Sequence, residues 1–517
     1  MKRPNSAPPG NRSSGRCFFL LASSRSGSTS LARILDSATN GCCKTEPAPN
    51  LNRETRLAMD GRLTSKKHEV VEQLILPRVS AGLSAHEIYG EKSVTYGPFV
   101  RDLHALTNCH FVYQTRDGRD VVRSMVDWHT GKFGSVYREA ANPGKLSAEA
   151  LLAAAALPVH LDASDFSRPR PQPDDPLFAE WPQLRRWEMC TYYWRRKNEL
   201  YLSALAELPS DAYVRIDYTS PTASDVLEVA NFLGLKGLSQ ETVKSALDSR
   251  INSLADRGSE TATPAPHWTN WSSGDRDTFD RIAGDTMCRL GYYSNQAARW
   301  RPAGYGSFWQ THDGGLEWYE WMFKGRQAAH RDLFEWIAAH PEFISIADLG
   351  CGLSVGYADE LSEREYCGFD LSAQNIDWCQ KHRKNPLHRF VCSDFVDTPT
   401  GKFDLVFSQG TIDNSYDIDE YLRSAVRMAS KWIYITAYRG WFPQISQHRY
   451  TWNAAHGCFY NDLSPARVTK LLETMGCKEI EVSPLKTHNR EIPYETRIVA
   501  RVAPEGGITP PSAGLCS

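Results

Sequence analysis

Residues 17–35 read CFFLLASSRSGSTSLARIL, and their order decides the fold of the first half of the chain. Cys17–Ala22 is an unbroken apolar run with the character of a buried strand. Ser23–Ser30 is a hydroxyl- and glycine-rich turn holding one basic residue, Arg25. Leu31–Leu35 is helix-compatible. A strand, a hydroxyl-rich loop and a helix N-terminus in that order make an anion cradle, because backbone N–H groups and the helix dipole both favour a bound phosphate or sulfate. An ordinary ATP or GTP loop needs GxxxxGK followed by Ser or Thr, and Ser23–Ser30 has no lysine. By itself the segment also reads as a solvated Ser/Gly loop.

A second stretch separates the two readings. Residues 109–126 read CHFVYQTRDGRDVVRSMV. Cys109–Thr115 has strand character, Arg116 stands at its carboxyl end, and a helix is expected from Asp120, with Val121, Val122 and Met125 on one face. Ser124 follows Arg116 by eight positions, about two helical turns. An arginine fork and a hydroxyl so placed can hold one phosphate through charge-assisted hydrogen bonds. The alternative is an Arg–Asp network tying strand to helix.

Together these stretches resemble the sulfotransferases that use 3′-phosphoadenylyl sulfate (PAPS). RSGSTS at 25–30 matches the family's loop for the 5′-phosphosulfate, and the resemblance assigns donor contacts to Arg25, Ser26, Gly27, Ser28, Thr29 and Ser30. The family's 3′-phosphate pair falls on Arg116 and Ser124. Between them lies YGEKSVTYGP, residues 89–98, with Lys92 at the family's catalytic-lysine spacing of 24 residues before Arg116. Glu91 falls on the general-base position of heparan-type members. Position 94, where cytosolic members carry histidine, is Val94, so the carboxylate mechanism is expected, with His129 the next candidate base. Glu91, Lys92 and Arg25 are thus the expected catalytic residues. Without the flanking motifs Glu91–Lys92 reads as a surface ion pair. Arg257 and Trp268 are matched to the family's donor-covering segment, at a longer spacing than usual.

The other half carries its own signature. Phe343–Asp370 reads FISIADLGCGLSVGYADELSEREYCGFD: a strand ending at Asp348, a turn with Gly350, Gly352 and Gly356, a helix, a second strand, and Asp370 22 residues after Asp348. This is the opening of a Rossmann-like unit. The GxGxxxG spacing with an acidic residue before the first glycine resembles class I S-adenosylmethionine (SAM)-dependent methyltransferases. The resemblance implies cofactor contacts at Asp348, Gly350, Gly352 and Asp370, with Asp370 on the ribose hydroxyls, Asp394 and Phe395 near the adenine, and Gln409 at the end of the fourth strand. Strands are expected at Phe390–Asp394, Phe403–Gln409, Trp432–Ala437, Lys478–Pro484 and Thr496–Val502, with a helix in 461–476. Asp413, Tyr438 and His448 are candidate acceptor-site residues, and each also reads as structural.

A chain of 517 residues exceeds one ordinary core. The expected organisation is a disordered N-terminus 1–16, a first domain 17–295, a linker 296–304, a second domain 305–502 and a disordered tail 503–517. A net charge of −2 gives no sign of a nucleic-acid partner. The apolar run at 17–22 is too short for a signal or membrane span. The 13 cysteines form no CxxC pair, so no metal site is expected, and a reducing cytoplasm is the simplest compartment. Ala148–Ala156 reads as a helix, Ser167–Pro176 as a loop or lid, and Trp318–Trp336 as one aromatic amphipathic helix that packs on the sheet or on the first domain, or closes over the methyl-donor pocket.

The fold class expected is α/β: a P-loop-NTPase-like sulfotransferase domain with a parallel sheet, then a Rossmann-like class I methyltransferase domain. The expected function is bifunctional tailoring, with PAPS and SAM as donors and a glycan or small molecule as acceptor. The alternative is a single activity whose other domain is a binding or regulatory module.

Overall fold

The computed structural model describes residues 16–127, 137, 168–249, 265–293, 297–311 and 315–503. The chain divides into two compact units: Met1–Pro266 with Phe279–Leu290, and His267–Thr278 with Gly291–Ser517.

In the first unit β1 (Arg16–Ala22), β2 (Gly41–Thr45), β3 (Ile88–Lys92), β4 (His110–Thr115) and β5 (Tyr213–Asp217) form a sheet in the order β2-β3-β1-β4-β5. Every pairing is parallel. Parallel sheets are covered on both faces, which is why β1 is an unbroken apolar run rather than an alternating one. Leu31, Ile34 and Leu35 of helix Ser28–Asp36 pack with Val226, Val229 and Leu233 of helix Ala223–Leu233 in one of the unit's cores. Strand order reverses at β1, which pairs with β3 on one side and β4 on the other. Such switch points are where open α/β sheets bind ligands, outside the strands' carboxyl ends. The loop leaving β1 lies there.

In the second unit β6 (Ser345–Leu349), β7 (Glu365–Asp370), β8 (His388–Cys392), β9 (Phe403–Gln409), β10 (Ala429–Ala437), β13 (Lys478–Lys486) and β14 (Tyr494–Arg501) make a seven-stranded sheet, with β11 (Trp452–Asn453) and β12 (Cys458–Phe459) a separate hairpin. The order is β13-β14-β10-β9-β6-β7-β8. β8 through β10 pair in parallel, and β14 is antiparallel to both β10 and β13. The order reverses at β6, which pairs with β7 and β9. This is a Rossmann-like sheet with an antiparallel pair at one edge.

Two expectations change. The aromatic stretch 318–336 is not one helix but two, Gly315–Gly325 and Gln327–Ala338. The break falls at Arg326, whose side chain turns inward to grip Glu495 through Nε (3.2 Å) and Nη2 and donates to Thr436 Oγ1 (3.1 Å). Continuing the helix through Arg326 would give up that buried pair. The boundary expected at 296–304 also differs from the division by contacts, because His267–Thr278 belongs to the second unit. Arg276 explains it. This residue is 3% exposed, donates to the carbonyls of Tyr416 (2.6 Å) and Thr269 (3.0 Å), and lies over the Tyr450 ring at 3.4 Å.

Residues 1–15, His129, the stretch 148–156, Arg257 and the tail from 504 lie outside the described residues. Among the described residues no helix is long and apolar enough to cross a membrane, and no group of three or more His, Cys, Asp or Glu is arranged to hold a metal.

Candidate functional site

The cradle of the first unit is built at the end of β1. Gly27 caps helix Ser28–Asp36 with φ +86°. A Cβ there would lie 2.6 Å from the Tyr218 ring, so both backbone and space require glycine. Ser26 Oγ donates to Ser23 O (2.7 Å), Gln114 Nε2 donates to Ser26 O (2.7 Å), and Tyr218 OH donates to Ser30 Oγ (3.2 Å). The loop is therefore set by β4 and β5 before any ligand arrives.

The second stretch meets the first. Arg25 Nε donates to Ser124 Oγ at 3.0 Å, and Arg116 Nη1 donates to Arg25 O at 3.3 Å. Arg116 Nη2 stands 3.9 Å from Asp120, while its buried Nε has no hydrogen-bond partner. The Arg116 guanidinium and the Ser124 hydroxyl, joined through Arg25, are a donor set that suits a phosphate.

The EKS turn departs from its sequence reading. Glu91 is fully buried. Its carboxylate accepts from Arg78 Nε (2.9 Å) and Nη2 (3.0 Å), from Tyr89 OH (2.8 Å) and from Tyr96 OH. Burial beside this carboxylate pushes both phenols up and keeps them protonated donors. Four donors enclose the group, so Glu91 serves as an internal anchor and is not placed to receive an acceptor's proton. Lys92 is also nearly buried, and its Nζ donates to Glu46 Oε1 at 2.7 Å. Glu46, just beyond β2, also accepts from Ser93 Oγ (2.6 Å) and Val94 N (3.4 Å), and its side chain is 39% exposed. Glu46 is thus the accessible carboxylate beside Lys92. The sequence reading missed it because it belongs to no motif quoted there; only its position at the end of a strand in a parallel sheet pointed to it.

Helix Arg186–Leu205 supplies three further groups. Tyr193 OH accepts from Ser24 N (2.9 Å) and donates to Ser24 Oγ (3.0 Å). One turn on, Lys197 is buried and donates to Val94 O (2.7 Å). Burial, with Arg168 nearby, pushes its amine down to about 7. Trp194 Nε1 donates to Arg116 O (3.2 Å). Trp268, matched to the donor cover, lies in the other unit beside Trp300 at 6.1 Å between ring centroids.

In the second unit the carboxyl ends of β6, β7, β8 and β9 carry the expected cofactor residues. Gly350 and Gly352 have φ of +83° and +52°. Added Cβ atoms would lie 2.3 Å from Thr411 Oγ1 and 2.4 Å from the Tyr319 ring. Asp370 does more than wait for a ligand: its Oδ2 accepts from Gly352 N (2.9 Å) and its Oδ1 from Ser372 N (2.8 Å), pinning the glycine turn to β7. Burial raises its pKa. Asp348 points inward and accepts from Tyr366 OH (2.6 Å), which also pairs with Ser354 Oγ (2.6 Å). Burial pushes it up to about 7. Asp348 braces the turn from beneath.

Asp394 is paired with Arg301 Nη1 at 2.7 Å and accepts from Tyr416 OH (3.2 Å). Phe395 lies in the core, edge-on to Tyr421 at 5.0 Å. Gln409 accepts from Thr436 Oγ1 (2.9 Å) and leaves its buried Nε2 without a partner. Asp413 accepts from the N–H groups of Tyr438 (2.9 Å) and Arg439 (3.1 Å), and burial pushes it up to about 7. His448 is buried, accepts from Ser464 N (2.9 Å) and lies 3.3 Å from Asp419, inside a network with Arg467. Asp413 and Tyr438 meet near the carboxyl ends of β9 and β10; His448 is structural.

Within the Rossmann-like second unit, residues 347–431 match the family model described as "Methyltransferase domain". The solved magnesium protoporphyrin IX methyltransferase (ChlM) from Synechocystis PCC 6803 with bound SAM is similar at 16% identity, over 42% of this chain and 97% of its own, with a TM-score of 0.26. The Burkholderia thailandensis 1,6-didemethyltoxoflavin-N1-methyltransferase is similar at 17% identity, over 37% of this chain and 83% of its own, with a TM-score of 0.29. No curated protein matches the chain.

Proposed function

We propose that the chain is a two-site transferase: a PAPS-dependent sulfotransferase in the first unit and a SAM-dependent methyltransferase in the second. Each acts on a hydroxyl or amine of a glycan or small molecule. The observation that supports the first activity is the meeting of Arg25, Arg116 and Ser124. Residues read separately as the 5′ and 3′ anion contacts converge on one cradle, with Arg25 Nε and Ser124 Oγ 3.0 Å apart. The second activity rests on the methyltransferase match together with the Gly350–Gly352 turn pinned by Asp370.

PAPS supplies an activated sulfuryl group. In its transfer the S–O bond to the 5′-phosphate breaks, the electron pair stays on that phosphate, and a new bond forms from sulfur to the acceptor oxygen or nitrogen, whose proton passes to a base. The protein positions and neutralises. Arg25 and the N-terminus of helix Ser28–Asp36 hold the phosphosulfate, and Arg116 with Ser124 holds the 3′-phosphate. Lys92 stabilises the charge that develops on the leaving group. Glu46, rather than Glu91, takes the acceptor's proton, because it is the carboxylate that an acceptor can reach. In the second unit SAM supplies an electrophilic methyl group. Gly350 and Gly352 let the backbone approach it, Asp370 holds the ribose, and the spare Nε2 of Gln409 offers a hydrogen bond. Asp413 and Tyr438 stand where an acceptor would enter.

Calorimetry tests both halves. Adenosine 3′,5′-bisphosphate should bind the full chain more tightly than 5′-AMP, and Arg116→Ala should weaken it by about 1.5–3 kcal/mol, the range for a charged hydrogen bond. Equal affinity for the two nucleotides would remove the 3′-phosphate assignment. S-adenosylhomocysteine should bind independently of either nucleotide.

A further inference from the structure

We propose that Arg168 is a sulfuryl-contacting residue of the first site, bridging the donor cradle and the Lys92–Glu46 pair. The proposal rests on the sulfotransferase reading above and adds a residue that no motif assigns.

Arg168 Nη1 donates to Ser24 Oγ at 2.7 Å. Ser24 lies in the cradle loop, directly before Arg25. The guanidinium also lies over the Tyr193 ring, 4.9 Å from its centroid, and Tyr193 OH itself bonds both Ser24 N and Ser24 Oγ. The backbone is held as well, since Arg56 Nη1 donates to Arg168 O at 2.9 Å and Arg56 Nε is paired with Asp60 at 2.7 Å. A planar cation stacked on an aromatic face and anchored by its own carbonyl is preorganised, so little freedom is lost when it meets an anion.

Tyr193, under that guanidinium, lies one helical turn before Lys197 on helix Arg186–Leu205. Lys197 donates to Val94 O, Val94 N–H donates to Glu46, and Glu46 accepts from Lys92. Contacts therefore run from the donor loop through Arg168, Tyr193, Lys197 and Val94 to the carboxylate that meets the acceptor. In an in-line transfer the sulfuryl group crosses that interval and its oxygens carry the charge. A fixed cation there stabilises the transferring group more than the nucleotide.

The distinguishing experiment compares two ligands on the full chain, PAPS and adenosine 3′,5′-bisphosphate, which differ only in the sulfuryl group. Wild type and Arg168→Gln are titrated with each by calorimetry. The expected result is a loss of tenfold or more in affinity for PAPS with less than a threefold change for the bisphosphate. A merely structural role at Ser24 would weaken both ligands equally, and either equal losses or no change would overturn the assignment while leaving the donor site standing. Failure of the wild type to bind either nucleotide would instead remove the sulfotransferase reading, and the proposal with it. Should Arg168→Gln not fold, the same ratio measured on Arg168→Lys decides: a selective loss for PAPS supports the contact, and parallel changes overturn it.

Discussion

Two carboxylates compete for one role at the residue scale. Glu91 has four donors and no exposure; Glu46 has Lys92, Ser93 and an open side. Glu46→Gln should keep bisphosphate binding and lose about a hundredfold in sulfuryl transfer, the lower range of general-base effects. Glu91→Gln should act through the fold instead. It removes a buried anion from Arg78 and leaves two tyrosine hydroxyls competing for one acceptor, so a drop of about 3–5 kcal/mol is expected. Denaturant melts beside turnover assays separate the two, and an inactive but fully stable Glu91→Gln would return the base to that position. Asp370 is the corresponding test in the other unit. Asp370→Ala should weaken S-adenosylhomocysteine at least tenfold in calorimetry, because it removes an acceptor and also frees the Gly352 turn.

At the scale of elements, both sites are glycine turns braced by a neighbouring strand. Gly27→Ala forces a side chain into a left-handed conformation, at about 1–2 kcal/mol, and against the Tyr218 ring. It should lower the melting temperature and abolish bisphosphate binding together. The β6–β7 brace has a pH signature. Asp348 has its folded pKa raised to about 7, so the folded state holds a proton that the unfolded chain has released above about pH 4. Its contribution is therefore present at low pH and is lost as pH rises from about 4 to 7. Asp348→Asn cannot titrate and can still accept from Tyr366. The variant should gain stability relative to wild type between pH 5 and pH 8 in parallel urea melts; a constant difference would show that Asp348 stays ionised throughout.

For the whole molecule, the division of the chain predicts which fragments fold. Arg276, with its two carbonyl acceptors and the Tyr450 ring, belongs to the second unit although it precedes Gly291. A fragment beginning at His267 keeps those contacts and should bind S-adenosylhomocysteine, although it also carries Phe279–Leu290, which belongs to the first unit. One beginning at Ala297 should be less stable by about 3 kcal/mol or more, the combined scale of two charged hydrogen bonds and a desolvated cation–π contact. Equal melting temperatures would show that the segment 267–278 adds nothing to the second unit.

The sequence by itself determined the strands and the turns between them. β1 was legible as an unbroken apolar run, and β4, β6 and β9 as short apolar-rich runs, because a strand in a parallel sheet is covered on both faces. The turns after β1 and β6 were legible because a positive φ and a close backbone approach demand glycine at fixed offsets. Arg25, Arg116, Ser124, Gly350, Gly352 and Asp370 stand on those turns and the elements beside them; their roles as donor and cofactor contacts came from family resemblance and belong to the proposal. The tertiary structure alone decided which charges are enclosed and which stay accessible. Whether Glu91 is enclosed depends on Arg78 and on how Tyr89 and Tyr96 turn toward it. Arg168 reaches Ser24 across 144 residues, and Arg276 reaches Tyr416 across 140. Periodicity and motif spacing report contacts within one element and its turn. Burial and pairing of a charge are set by side chains brought together from distant segments, and only the packed fold contains that information.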